Sequence, residues 1–317
     1  MKFHLFTRRR FLSAGAASLL AGCVGGVEQA TEQTETATPV TVAVGDLVET
    51  PSFSFVLRGV TKTTALTDAQ RASRGNTYVV LRFAAKNTSD EVAHWFPRIE
   101  PYIADGDGNE YYLADTTTTH ALPKNHDLLP GEVSRGDVVY EVPEDATNLT
   151  YALDFTNRSA VALSTVSIDL ESSATPVADL EQTLQTVHPL GEAVSNNDVR
   201  VTVTEVRTTT ELGGKLVASE GHEFVLPTLE ITNDRTDSIP ISSVWNLRLK
   251  GATGLVYTVD LWAWESLSEG FDVGSIDAGA TARGELAFQL PTDRDACYFM
   301  FDWYNLEADD AKAFWEL

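Results

Sequence analysis

The chain has 317 residues, with 46 Asp and Glu against 23 Lys and Arg, a formal net charge of −23. That length suggests two domains, and 43% apolar residues exclude wholesale disorder. The acid excess argues against nucleic acid as a ligand, and the two cysteines, Cys23 and Cys297, exclude a disulfide scaffold or a cysteine-cluster metal site.

Residues 1–22 read as a cleavable signal. Lys2, Arg8, Arg9 and Arg10 form a basic region without acids, and Leu12 to Gly22 is weakly apolar and too short to span a bilayer. Thr7-Arg8-Arg9-Arg10-Phe11-Leu12 resembles a twin-arginine export signal. Leu20-Ala21-Gly22-Cys23 resembles a lipobox, which implies that Cys23 carries lipid and becomes the mature N-terminus. The expected location is the outer face of the cytoplasmic membrane, with the membrane as partner through the anchor.

Cleavage after residue 22 removes four cations and no acids, leaving 19 cations against 46 acids, a net charge of −27. Lys is scarce in what remains. High carboxylate with low Lys suits a salt-rich, halophilic and archaeal cell, where a Debye length of about 3 Å at 1 M screens self-repulsion. Residues 23–40, rich in Thr, Glu and Gln, read as a flexible stalk, because such a stretch cannot bury enough surface to offset its chain entropy.

The remainder is one unit written twice. At an offset of 146, Gly45 falls on Gly191, Phe53-Phe55-Leu57 on Val199-Val201-Val203, Val79 on Val225, Asn87 on Asn233 and Tyr111 on Tyr257. At an offset of 148, Gly131 falls on Gly279, Arg135-Gly136 on Arg283-Gly284, Pro143 on Pro291 and Asp154-Phe155 on Asp302-Trp303. The domains are placed at 41–172 and 187–317, with a polar linker at 173–186. Within each, apolar residues alternate with period two, as in Phe53 to Leu57 and Val199 to Thr204. Leu149, Tyr151, Leu153 and Phe155 share one face, and Cys297, Phe299, Phe301 and Trp303 take those places in the second copy. Short runs punctuated by Gly, Pro and Asp turns predict an all-β chain, two tandem immunoglobulin-like antiparallel β-sandwiches.

Each unit resembles a small immunoglobulin-like domain of secreted and lipid-anchored bacterial and archaeal proteins, a family of unknown function. The pattern is an early Gly, a Val- or Phe-rich strand ending in Asn, a turn before an aromatic, a Pro-Gly or Ala-Gly step and a strand closed by Pro. It stands here as Gly45, Val79 to Asn87, Gly108 to Tyr111, Pro130-Gly131 and Pro143, and again as Gly191, Val225 to Asn233, Gly254 to Tyr257, Ala278-Gly279 and Pro291. The resemblance implies the fold and carries no catalytic motif, so function has to come from a site.

No site stands out as catalytic, and the chain reads as a non-enzymatic binding or structural module without a cofactor. His120 and His126, six apart, are weak metal candidates; they support the alternative of a solute- or metal-binding lipoprotein. A hydrolase with an unrecognised carboxylate pair is the other alternative. Asp105 to Glu110 resembles half of a calcium loop but lacks its later ligands, which favours a plain turn. Cys297 is expected to be buried and inert. Three sequons offer N-glycosylation at Asn87, Asn148 and Asn157; Asn87 falls on Asn233, which has no sequon, so turn geometry is the alternative reason for it. Trp245 and Trp303 are expected in the core. Trp262 and Trp264, two apart and on one face if the segment is a strand, are the candidate binding patch for an envelope protein or glycan.

Overall fold

The computed structural model describes residues 38–95, 101–116, 118, 120–122, 126–155, 163–306 and 312–317. The export signal with Arg8 and Arg9, Cys23, most of the stalk and Asn157 lie outside them.

Both copies are β-sandwiches. In the first, strands Val48–Glu49, Phe53–Thr63, Asn76–Asn87 and Val133–Pro143 form one sheet. Thr38–Val44, Leu163–Ser173, Thr150–Asp154, Tyr102–Ala104 and Glu110–Tyr111 form the other. In the second, Ala193–Asn196, Val199–Thr209, His222–Asn233 and Thr281–Glu285 face the sheet of Val256–Thr258, Leu247–Gly251, Cys297–Asp302 and Lys312–Glu316. Alternation places Phe55, Leu57, Val79, Leu81, Phe83, Tyr151 and Ile168 in one core. It places Val201, Val203, Ile231, Phe299, Phe301, Trp303 and Trp315 in the other. Fully burying one such aromatic contributes roughly 1.5–3 kcal/mol, which is why the period-two pattern specifies register.

The repeat holds at single-residue detail. A bulge breaks the ladder between Leu57 and Gly59, and again between Val203 and Glu205. Asn87 and Asn233 are both fully buried. Asn87 Nδ2 donates to the carbonyls of Glu91 and Leu128, and Asn233 Nδ2 to those of Asp237 and Ile276. The strand-ending Asn is therefore an internal tie from its own strand to the turn that follows and to a short strand, His126–Leu128 or Gly274–Ile276, of a separate two-stranded sheet.

Two features depart from the sequence reading, and a third adds to it. Thr38–Val44 pairs in parallel with Leu163–Ser173, with Val42 opposite Ile168, and His188 makes a parallel bridge to Trp315 at the equivalent place. Leu261–Glu265 is a one-turn helix rather than a strand, capped by Asp260, whose side chain accepts from the Ala263 N–H. The linker lies along the first domain: Ala178 N–H donates to the Gly45 carbonyl, and Thr183 N–H to that of Gly131. Leu180 packs there with Val56, Ala84 and Val133 on the sheet's outer face.

Candidate functional site

The domains meet through a buried cluster of charge. Glu132, just before strand Val133–Pro143, is fully buried, and its Oε1 lies 2.6 Å from Lys250 Nζ. Lys312 Nζ approaches Oε2 at 3.3 Å and also donates to the Asp127 carbonyl. Glu132 Oε2 accepts the Leu129 N–H. Burial pushes the Glu132 carboxyl up, but the ammoniums of Lys250 and then Lys312 outweigh it and hold it below its ordinary value. Burial pushes Lys250 down to about 8, against the pull of Glu132. Register puts Arg248, Met300 and Phe314 side by side across three strands of the same sheet, and all three are buried.

Arg135 completes the junction. Its Nε donates to the Thr253 carbonyl, and its Nη2 to Asp179 at 2.6 Å and to the Leu180 carbonyl at 2.8 Å. Gly254 brings the two backbones together, its carbonyl accepting the Arg135 N–H at 3.1 Å. Its φ of +91° favours glycine, and a Cβ there would stand 2.7 Å from the Val133 carbonyl oxygen. The copies differ where they meet. Lys250 and Met300 fall on Ala104 and Ala152, and Glu132 falls on Ala280. The second domain thus carries a long cation and a methionine at this contact where the first has two alanines, although Arg248 falls on another large residue, Tyr102.

At the far end of the strand that carries Lys250, loop 242–246 lies against loop 302–306. The buried Asn246 ties them: its Oδ1 accepts the Ser242 N–H, and its Nδ2 donates to the Asp302 carbonyl and to Asn305 Oδ1. The Arg248 guanidinium donates to the Val244 carbonyl beneath. The two loops present Trp245 and Tyr304 together, 51% and 62% exposed, with ring centroids 5.9 Å apart and planes 32° apart. The expectation that Trp245 is core is therefore corrected. It falls on Ile99 in the alignment, but its loop turns outward around the Asn246 tie. Trp303 is buried as expected.

The patch read from sequence divides. Residues two apart on a helix point to different sides, so Trp262 is 77% exposed while Trp264 is half-buried, donating from Nε1 to the Phe271 carbonyl at 3.0 Å. Leu261 and Val217 are also exposed.

The other candidates carry less chemistry. His120 is half-buried, edge-on to Tyr257 of the second domain at 5.9 Å. The backbone of His126 pairs with Trp95, and its side chain lies outside the description. Among the described residues, no three of His, Cys, Asp and Glu converge as metal ligands. Cys297 is buried, and desolvation outweighs the nearby Arg294 and pushes its thiol up, away from the reactive thiolate. Asp105 is spent on its own turn: Asn109 Nδ2, the Tyr111 hydroxyl and the N–H groups of Asp107 and Asn109 donate to its carboxylate and hold it at about 2. A carboxyl held so low is a poor general acid. Of the sequons, Asn87 is closed because both its amide hydrogens are used, whereas Asn148 is exposed at φ +53°. No described helix is long and apolar enough to cross a membrane.

These features define a tandem β-sandwich protein with a buried ionic junction and exposed aromatics on its second domain. The chain belongs to the domain-of-unknown-function family DUF4352, whose profile matches residues 42–161 and 188–309. Solved structures similar to parts of it include a β-sandwich protein from Clostridium difficile 630, at 15% identity over 43% of this chain and 98% of that one, TM-score 0.30. MPT63, a secreted protein of Mycobacterium tuberculosis, matches at 16% identity over 43% and 99%, TM-score 0.32. The match to ycdA, a candidate lipoprotein of Bacillus subtilis, is at 15% identity over 39% of this chain and spans only 38% of that one, TM-score 0.32. No curated protein matches the chain.

Proposed function

We propose that this is a non-enzymatic envelope protein of a halophilic archaeal cell, exported through the signal around Arg8 and Arg9 and anchored by lipid on Cys23, whose second domain binds a neutral glycan on Trp245 and Tyr304. The observation that carries the reading is the pair of neighbouring, exposed rings on two loops locked by a buried Asn246. Exposed aromatic faces lose hydration favourably against the C–H face of a sugar ring. Two half-exposed rings offer on the order of 200 Å², well short of the roughly 800 Å² that each side of a stable protein interface covers. Ser242, Asn305 and Asp302 beside them are spent on holding the loops, so the ring faces carry the contact. The −27 charge of the mature chain favours a neutral ligand over an acidic one.

The test is calorimetric titration of the full chain with surface polysaccharide from the cells that make it. Trp245→Ala and Tyr304→Ala should each weaken binding about tenfold, equivalent to about 1.4 kcal/mol, with unchanged melting temperatures. Unchanged affinity in the double variant would refute the platform. Loss in Trp262→Ala alone would place the site on the helix instead.

A further inference from the structure

The turn that enters strand Thr150–Asp154 contains the sequon Asn148-Leu149-Thr150. Asn148 sits at its tip in the left-handed region, exposed, and its Nδ2 makes no hydrogen bond among the described residues. Only its backbone N–H is engaged, by Glu171 Oε1 at 2.8 Å. The side chain lies on the rim of a polar cleft of about 260 Å³ that Asp107, Asn109, Tyr111 and Asp145 also line. Gly106 leaves room for it: a Cβ there would come within 2.8 Å of Asn148 Nδ2. Asn87 is the opposite case, with Nδ2 donated to two carbonyls and no exposed surface. The second domain has Ala296 where the first has Asn148.

Export order makes this contrast decisive. A twin-arginine signal sends the chain across the membrane already folded. An acceptor must then be open in the native state, and burial eliminates any sequon whose amide is an internal tie.

We propose that Asn148 is an N-glycosylation site of the folded, exported protein, its first sugar lying over the cleft beside Gly106, and that Asn87 is never modified. In the transfer, Asn148 Nδ2 forms a bond to C1 of an oligosaccharide carried on a lipid phosphate. The C1–O bond to the phosphate breaks, the lipid phosphate leaves with its electron pair, and the amide nitrogen gives up one proton to solvent. The lipid-linked oligosaccharide and its transferase belong to the exporting cell.

The proposal shares only export with the glycan-binding reading, and Trp245→Ala and Tyr304→Ala leave it untouched. The test is mass spectrometry of the full chain isolated from the envelope of the cells that make it. Trypsin releases Asn148 and Asn157 on one peptide, so electron-transfer fragmentation assigns the site. The expected result is a glycan on Asn148 in most molecules and a bare Asn87 peptide. Asn148→Gln and, as a change that keeps the left-handed turn residue, Thr150→Ala should each lower the intact mass by one glycan; Gln is strained at φ +53°, so the melting temperature is compared for Thr150→Ala, which should leave it unchanged. A bare Asn148 in envelope-derived protein overturns the proposal, as does a glycan on Asn87. Protein found only in the cytoplasm overturns it together with the export reading, and that outcome separates the two failures.

Discussion

Replacing Glu132 by Gln tests the domain junction most directly. Gln keeps the shape and the bond from the Leu129 N–H, but removes the one carboxylate that Lys250 contacts at 2.6 Å and Lys312 at 3.3 Å. Both ammoniums are then left in a site where all three side chains are 2% exposed or less. Breaking a buried pair this way costs about 3–5 kcal/mol. For a unit of 150–250 residues each kcal/mol moves the melting temperature by about 2–4 °C, so the loss should be roughly 6–20 °C. Scanning calorimetry of the full chain in multimolar salt reads it. Salt screens exposed charges but hardly touches a buried pair, so the penalty should persist from dilute to concentrated salt. The triple change Glu132→Leu, Lys250→Met, Lys312→Met should recover most of the loss, because an apolar replacement of a buried ion cluster is often neutral or stabilising. A melting temperature for Glu132→Gln within about 2 °C of the parent, or a penalty that vanishes in salt, would refute this account of the junction.

Two further outcomes are expected. The Asp105 carboxyl should titrate at about 2 by NMR, below its ordinary 3.8, because Asn109, Tyr111 and two backbone N–H groups hold its charged form; a depressed folded value means stability that is present above pH 3.8 and lost as pH falls toward 2. Asp105→Asn should remove that part of the acid sensitivity, and a midpoint near 4 would show that the turn does not hold the charge. Cys23→Ser should release the protein into the medium, and equal retention in the membrane fraction would end the lipid-anchor reading.

Fold class and duplication were legible because both rest on local chemistry that repeats. Core membership alternates along these strands: Phe53, Phe55 and Leu57 lie in one core and Val199, Val201 and Val203 in the other, so the period-two pattern names the inward faces. Positive-φ glycines recur at Gly45 and Gly191, and at Gly131 and Gly279. The same comparison exposed Cys297 and Trp303 as core, since each replaces an inward residue of the other copy. Asn87 and Asn233 were visible as matched positions, but their role was not. A buried amide tied to a short strand about 40 residues away depends on the folded chain.

What tertiary structure alone decided concerns the places where the copies differ. Trp245 aligned with an apolar residue and still faces outward, because exposure there is set by the tie from Asn246 to a loop 56 residues on. Trp262 and Trp264 separate because Asp260 caps a helical turn, and a two-residue spacing has opposite meanings on a strand and on a helix. Glu132, Lys250 and Lys312 read in sequence as three charges among many on an acidic chain. They meet only when two folded domains meet, across 118 and 180 residues, and burial then turns ordinary surface charge types into a junction whose loss is costly. Pattern along the chain encodes what each residue does within its own strand; which faces of two finished sandwiches come together is set by pairings that no local period records.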